Sequence, residues 1–519
     1  MEIRTIIAAL LFVYAFYIAM RHNLHMFQLN GYKNGEHFNR MKKNLRQQWL
    51  LMAGMLLGVI RIFISSVFLD IPIFFVLIMT ILVYRALRRL NNKKKLVYTA
   101  RVKRLIATDL CLAAICIAAA FFIAGIKPLT GIFALLTGLQ IFMLIICNII
   151  NHPIESAINR HYINDAKKRL KEAEGLKILG VTGSYGKTSV KFYLKTLLEE
   201  HYRVLVTPES YNTPMGIVKT IRGSLKPTDE IFVCEMGARH VGDIKEICDI
   251  VHPDHGLITS IGPQHLETFF NMENIKNTKF ELADALPKDG ILFLNGDNAY
   301  INDKEEKYDN KVFYRTGEGE GYTAKDIRVS QTGTEFTVLA PSGASEKFST
   351  RLVGEHNVIN ILGAIAVANT FNIPLKDLKV PVRRLAPVPH RMELKEHGDV
   401  TIIDDAYNSN PIGSKAAVET LKLFPGVRIL ITPGMVELGD EEEKYNYEFG
   451  GYAAACCDHI LLVGKKRTEP IRKGALDAGF DEAKIRSYDN VQDAINYAYN
   501  IGAAGHKYIL LENDLPDNY

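Results

Sequence analysis

The sequence predicts an α-helical transmembrane domain followed by an α/β region, itself a phosphate-loop (P-loop) central domain with a mainly parallel sheet plus a Rossmann-like C-terminal domain. Three observations predict this. Hydrophobic residues make up 48% of the 519 positions, with a mean hydropathy of +0.02, and the excess falls in the first 150 residues. A short apolar run at 176–181 enters a glycine turn and then an amphipathic stretch, the order of strand, phosphate turn and helix. Apolar runs at 427–431, 459–463 and 507–511 alternate with helix-like stretches, as in a doubly wound sheet. At ~150 residues per domain the chain has room for about three. The expected boundaries are 1–150 for the membrane domain, 151–174 for a polar connector, 175–387 for the central domain and 388–519 for the last.

Five apolar segments are read in order at 5–20, 49–69, 71–84, 105–126 and 129–150. A helix needs about 20 apolar residues to cross a bilayer. The last two segments meet this, 49–69 does so despite Arg61, and 71–84 is short, read as tilted or partly inserted. The first segment lacks a small-residue cleavage site and is followed by further apolar segments, so it reads as an anchor rather than a signal peptide. The first loop carries Arg21, Lys33, Arg40, Lys42, Lys43 and Arg46. The loop before the fourth segment carries Arg85, Arg88, Arg89, Lys93, Lys94, Lys95, Arg101, Lys103 and Arg104 without an acidic residue. Basic loops stay in the cytoplasm. Five spans with an outside N-terminus place both loops, and everything after residue 150, on that side; four spans would put a basic loop or the nucleotide site outside. The net charge is +5, and the basic residues cluster in the first 105 positions, which points to a membrane surface and not to nucleic acid. Seven cysteines form no CxxC pair, so neither a zinc site nor a disulfide scaffold is suggested.

The glycine turn reads Thr182-Gly183-Ser184-Tyr185-Gly186-Lys187-Thr188-Ser189. In a phosphate cradle, backbone N–H groups and the positive helix end hold the phosphates, the lysine reaches the β and γ oxygens, and the hydroxyl takes Mg²⁺. That assigns Gly183, Ser184, Gly186, Lys187, Thr188 and Ser189 to ATP. Val181 stands where the first glycine of GxxxxGK[ST] would fall, so a plain glycine turn competes on this motif alone.

Further motifs follow: Glu235-Met236-Gly237-Ala238, Gly262-Pro263-Gln264-His265-Leu266-Glu267, Thr278-Lys279-Phe280-Glu281 and Asn295-Gly296-Asp297-Asn298. Next come Gly354-Glu355-His356-Asn357-Val358-Ile359-Asn360, His390-Arg391-Met392-Glu393, the run Asp404-Asp405-Ala406-Tyr407-Asn408-Ser409-Asn410-Pro411, and Gly434-Met435-Val436-Glu437-Leu438-Gly439. In this order they resemble the Mur ligases, which build the peptide of bacterial cell walls, and most closely the branch that adds D-alanyl-D-alanine. The resemblance covers residues 175–450 firmly and the remaining C-terminus loosely. It implies ATP-dependent formation of an acyl phosphate on a carboxylate, then amide-bond formation with an amino acid or dipeptide. Lys187, Lys279, His265 and Arg391 are the residues it implies for catalysis. It also implies a bacterial cell-membrane protein with several spans and cytoplasmic catalytic domains.

The roles that follow are what the resemblance implies. Glu235 and His265 bind Mg²⁺ together with Thr188, at two ions in all. Lys279 is carbamylated by CO₂ and becomes a carboxylate that holds the second ion; Lys276, three positions away, competes for that assignment. Asn295, Asn357 and Asn360 contact adenine, with helix capping near Gly354 as the competing reading of the last two. Arg391 reaches the phosphates and Asp405 the ribose, completing the site when the last domain closes. Asn212, Tyr407 and Asn408 are the expected substrate contacts, an ordinary turn around Pro214 and Gly216 competing at Asn212.

Two departures from the family stand out. The small domain that holds the UDP part of the precursor is missing, and the membrane region occupies its place; the expected acceptor is therefore lipid-linked, or held by a partner. The chain ends Glu512-Asn513-Asp514-Leu515-Pro516-Asp517-Asn518-Tyr519 where the branch usually carries a basic Lys-Gly-Ser segment. The alternatives are a poly-γ-glutamate synthase-like ligase and a non-catalytic membrane scaffold for wall synthesis.

Overall fold

The computed structural model describes residues 3–514, apart from 44, 65, 91–94, 210, 408 and 503–504. The expectations for Lys93, Lys94, Asn408 and the terminal residues 515–519 lie outside the described residues. The chain divides into two compact units, Met1–Arg160 and His161–Leu515.

The first unit is helical: α1 (Ile3–Leu29), α2 (Asn34–Lys43), α3 (Leu45–Phe63), α4 (Asp70–Leu90), α5 (Ala100–Ala124) and the start of α6 (Leu129–Glu172). Among the described residues, four helical stretches are long and apolar enough to cross a membrane: Thr5–Leu29, Val67–Leu87, Ala100–Ala124 and Leu129–Glu172. The short apolar helix is Gln48–Phe63, not the one read at 71–84. Hydropathy stops at the first arginine, whereas a helix does not: Arg85, Arg88 and Arg89 continue α4 to 21 residues. The run read at 49–69 breaks after Phe63, and its last residues form a separate 3₁₀ turn, Val67–Leu69. Residues read as a polar connector continue α6 as one helix, with Pro153 inside it.

Arg61 is tolerated in its apolar helix because Asp70 receives it. Its Nε donates to Asp70 Oδ1 at 2.8 Å, and both side chains are less than a tenth exposed. A second polar seam joins α5 to α6. Arg104 makes a fork to both Glu155 oxygens at 2.6 and 2.9 Å, Thr108 donates to Asn151 at 2.8 Å, and Gln140 donates to Asp109 at 3.0 Å.

Small residues let α3 and α6 touch. A Cβ on Gly138 would lie 2.4 Å from the Leu51 carbonyl oxygen, and one on Gly58 would lie 2.6 Å from the Leu135 nitrogen. Such close approach is how helices associate where lipid removes the hydrophobic drive between them.

The second unit carries two sheets. The first holds β1 (Lys177–Thr182), β2 (Val204–Val206), β3 (Ile231–Glu235), β4 (His255–Ile258) and β5 (Leu292–Asn295). It continues with β6 (Lys311–Thr316), β7 (Tyr322–Ser330), β8 (Gly333–Leu339) and β9 (Ser345–Thr350). Their order is β2-β3-β1-β4-β5-β6-β7-β8-β9, parallel through β7 and antiparallel beyond it. The central strands read as unbroken apolar runs because helices cover both faces; all but the first residue of β1 are buried. Gly180 is required there, since a Cβ would lie 2.6 Å from Leu282 Cδ1.

The second sheet holds β10 (Glu393–His397), β11 (Val400–Asp405), β12 (Val427–Thr432), β13 (His459–Val463), β14 (Ile485–Tyr488) and β15 (Lys507–Glu512). The order is β10-β11-β15-β12-β13-β14, parallel except for β10. In the first sheet β3 and β4 flank β1, so the loops after all three emerge side by side at the carboxyl ends, where open α/β sheets gather ligand groups.

The α3–α6 seam makes a stability prediction. Gly138→Leu drives a side chain into the α3 backbone and costs about 1–3 kcal/mol or more. Thermal unfolding of the detergent-solubilised chain checks this; an unchanged midpoint rejects the seam.

Candidate functional site

β1 ends at Thr182, and the glycine turn carries the chain into α7 (Lys187–Leu198). Two glycines make the turn possible. Gly183 has φ +148° and a Cβ there would meet Thr259; Gly186 has φ +81° and a Cβ would lie 2.5 Å from Asn360 Oδ1. Asn360 thus sits directly against the loop. The loop is fastened to the segment after β4: the Ser184 hydroxyl donates to the Gly262 carbonyl at 2.9 Å and accepts from the Gly262 N–H at 3.1 Å. The Tyr185 hydroxyl donates to the Pro263 carbonyl at 2.7 Å.

Lys187 folds back over this loop, its Nζ donating to the carbonyls of Gly183 (2.7 Å) and Ser184 (3.0 Å). Burial lowers its pKa to about 8; the charge of Glu235 works upward and that of Arg391 downward. A lysine with only carbonyls for partners is placed to exchange them for a phosphate.

Glu235, at the end of β3, is 1% exposed. Its Oε1 accepts from the Thr188 hydroxyl at 3.1 Å and from the Asn212 amide at 3.0 Å. Its Oε2 lies 2.9 Å from Lys191 Nζ, whose side chain has no exposed surface and also donates to the Glu209 carbonyl. Three segments therefore converge on one carboxylate: the phosphate helix, the loop before α8 (Pro214–Ser224), and the end of β3. Thr213 caps α8, accepting from the Gly216 N–H at 3.4 Å with Pro214 in the first turn, so the segment beyond Asn212 is a helix start.

Lys279, on the helix Met272–Asp284, is 2% exposed and makes no side-chain hydrogen bond or ion pair among the described residues. Burial first, then the charge of Lys187, holds its amine well below the usual range. Lys276 is different in kind, bound to Glu273 at 2.8 Å. His265 has φ +53° and caps the short helix Leu266–Phe269. Its Nδ1 lies 2.5 Å from Glu437 Oε2, and Glu437 is also 3.5 Å from Arg239. Burial lowers the His265 pKa, with the Glu437 bond opposing it, so the ring is neutral near pH 7.

Asn295 donates to the Thr259 carbonyl at 2.9 Å and accepts from the Asp297 N–H at 3.0 Å. Asn357 accepts from the Tyr193 hydroxyl at 2.9 Å and donates to the Val353 carbonyl at 3.0 Å. Both amides are thereby held inside the protein, and neither caps a helix; the helix Glu355–Thr370 starts at Gly354 without a side-chain cap. Ser189 borders the same Tyr193 hydroxyl. Arg391 stacks 4.7 Å from the Tyr407 ring centre, and its charge reaches Lys187, Asp405 and Glu512. Asp405 and Glu512 are both pushed upward, by burial first, and the Ser409 hydroxyl donates to Glu512.

The structure therefore brings Thr188, Glu235 and Asn212 together, sets Lys187 and Lys279 within each other's field, and gathers Arg391, Asp405 and Tyr407 on the other side. It turns His265 to Glu437 instead of Glu235. Sequence reasoning passed over Lys191, whose spacing from Lys187 is that of any helix-face lysine, and gave Glu437 no role.

A carboxylate with a hydroxyl beside it is an oxygen set that suits a hard cation, and a buried amine without a counter-charge suits reaction with CO₂. Thr188 and Glu235 are therefore a donor pair that fits Mg²⁺.

The Mur ligase middle domain model matches residues 181–368, and the model described as Mur ligase, glutamate ligase domain matches 390–512. The UDP-N-acetylmuramoyl-tripeptide–D-alanyl-D-alanine ligase of Bacillus subtilis is 32% identical over 335 residues, 64% of this chain and 71% of that protein. The Escherichia coli enzyme of the same name is 33% identical, over 56% of this chain and 65% of its own length. Among solved structures, MurF ligase from Thermotoga maritima in complex with ADP aligns with a TM-score of 0.62 at 26% identity, covering 69% of this chain and 80% of that one. MurF from Acinetobacter baumannii, at 23% identity and TM-score 0.63, covers 70% and 78% and shares the fold.

Removing one member of a buried ion pair strands the other, at about 3–5 kcal/mol. Lys191→Ala lowers the unfolding free energy of the second unit by that order, and Glu235→Gln in the same chain recovers most of it. Urea titration of the four proteins in this cycle checks the coupling; additive losses refute it.

Proposed function

The chain belongs to the Mur ligase family, and on that premise we propose that it is an ATP-dependent ligase of cell-wall precursor synthesis. It activates a muramoyl-peptide carboxylate as an acyl phosphate and couples it to an amino acid or a D-alanyl-D-alanine-like dipeptide. The observation that carries this is the meeting of Thr188 and Glu235 at 3.1 Å, beside a lysine whose amine rests on the loop carbonyls. In this reading two magnesium ions neutralise the phosphate charge that builds as the γ-phosphoryl group moves to the carboxylate.

The chain's own residues do the rest. Lys187 gives up the Gly183 and Ser184 carbonyls and takes phosphate oxygens. Thr188 and Glu235 supply hard oxygen ligands, with His265 joining them through Nε2 while Nδ1 keeps Glu437. Lys279, whose amine is held by burial well below the usual lysine range, attacks in its neutral form the carbon of CO₂; an N–C bond forms, one C=O electron pair moves to oxygen, and the amine proton leaves to solvent. The product is a carbamate anion that holds a cation where an ammonium would repel it. Arg391 and Asp405 reach the nucleotide from the last domain, which we read as Rossmann-like, and Asn212, Tyr407 and Asn408 border the substrates.

We read the four long apolar helices as membrane spans, with the helix containing Gln48–Phe63 as a fifth. The basic loops then set the ligase unit in the cytoplasm of a bacterial cell, and a lipid-linked acceptor follows from the membrane region standing where the family holds a UDP group.

Lys187→Ala lowers ADP release by roughly 10²-fold or more when acceptor and dipeptide are supplied; equal release by both proteins defeats the ligase reading. Protein equilibrated with ¹³C-bicarbonate gives a carbamate carbon resonance that Lys279→Ala lacks, and stripping CO₂ lowers turnover in the wild type. The same resonance in both proteins moves the modification elsewhere.

A further inference from the structure

Between α1 and α5 lies an apolar cavity of about 530 Å³, within the range of roughly 300–1,000 Å³ typical of small-ligand sites. The two helices run antiparallel. Phe12 and Ala113 share one cluster toward one end of the cavity, and Leu24 packs with Leu105 and Leu96 toward the other. Arg21, three residues before Leu24 on α1, and Tyr98 also line the cavity. Arg21 has no ion-pair or hydrogen-bond partner among the described residues, whereas Arg61 and Arg104 of the same unit are each paired with a carboxylate.

The end near Arg21 is built rather than left over. The segment 95–99 turns at Tyr98, where the Thr99 N–H donates to the Val97 carbonyl at 2.9 Å, and it is clipped to α1 by a reciprocal pair of hydrogen bonds. Gln28 Nε2 donates to the Val97 carbonyl at 2.9 Å, and the Val97 N–H donates to Gln28 Oε1 at 3.0 Å. Thr99 then caps α5, accepting from the Val102 N–H at 3.3 Å. This strap sets Leu96 and Tyr98 as a wall of the cavity. From Phe12 to Arg21 is nine residues, about 13 Å of helix at 1.5 Å each. A bilayer's hydrocarbon core is ~30 Å thick, so the cavity is as deep as one leaflet.

We infer that this cavity binds a single long hydrocarbon chain bearing a phosphate, the chain lying between α1 and α5 and the phosphate on Arg21. The inference rests on the ligase reading and deepens it: the occupant is the lipid-linked carboxylate acceptor. A cation without a partner among the described residues, lining an otherwise apolar, leaflet-deep cavity, matches an amphiphile with one anionic group and one tail. A neutral lipid would leave Arg21 without a counter-charge.

The test uses the full chain in phosphatidylcholine nanodiscs, with a photoreactive long-chain polyprenyl monophosphate as probe. Crosslinks are expected on peptides of α1 and α5. Ala114→Trp, at an exposed lining position, blocks the cavity and removes them; Arg21→Gln weakens retention about tenfold, as loss of one charge-assisted contact does, and Arg21→Lys restores most of it. Competition by phosphatidylglycerol as strong as by unlabelled polyprenyl phosphate marks an ordinary lipid surface and overturns the inference, as does labelling unchanged by Ala114→Trp. ATP cleavage on a soluble UDP-linked acceptor is scored in the same samples. Turnover without labelling overturns the lipid site and leaves the ligase standing; labelling without turnover on that acceptor or on its polyprenyl-linked counterpart, supplied in a parallel sample, supports the site and rejects the ligase.

Discussion

A carboxylate that has lost nearly all contact with water organises the centre of the ligase unit. Glu235 collects a hydroxyl from α7, an amide from the loop before α8 and the ammonium of Lys191, and it draws all three to the end of β3. Burying a charge is costly unless it is paired and hydrogen-bonded. The neighbouring segments have one arrangement that meets the requirement, and that arrangement lays the glycine turn beside the carboxyl end of β3. The turn is then fixed from its other flank by Ser184 and Tyr185, which bond the chain beyond β4. Strand order does the coarse placement and one acid does the fine placement.

Charge is distributed unevenly around that point. Lys191 has its partner, Lys187 has only carbonyls, and Lys279 has nothing within ion-pair reach among the described residues. Three lysines in one neighbourhood therefore stand in three settings: one fixed on a carboxylate, one resting on loop carbonyls, and one whose amine is held by burial well below the usual lysine range. On the facing side, the charge of Arg391 works against the burial that pushes the Asp405 and Glu512 carboxyls upward.

Much of this was legible beforehand, and the rest was hidden for identifiable reasons. Parallel strands covered on both faces must be apolar throughout, so β1, β3, β12, β13 and β15 announce themselves within a residue or two. The glycines of the turn are dictated by positive φ and by close neighbours, which a sequence motif records faithfully. Helix length in the membrane unit is not recorded so well: apolarity ends where lipid contact ends, while backbone hydrogen bonding runs on through arginines into α4 and through Pro153 in α6. Long-range pairs were the least visible. Arg61 reads as an intruder until Asp70 is seen opposite it. Lys191 looks like a solvated helix residue because nothing nearby in the chain reveals that Glu235 folds onto it. His265 and Glu437 are separated by 172 residues, and no local pattern links them.

The imidazole of His265 is already in use. Its Nδ1 is engaged by a glutamate borrowed from the far half of the unit, which itself leans on Arg239. Nε2 makes no hydrogen bond among the described residues. A carboxylate on one ring nitrogen fixes the orientation and tautomer of an imidazole and leaves the other nitrogen to a ligand. The far half of the unit therefore aims this ring, and a change at Glu437 would be felt at whatever the ring holds.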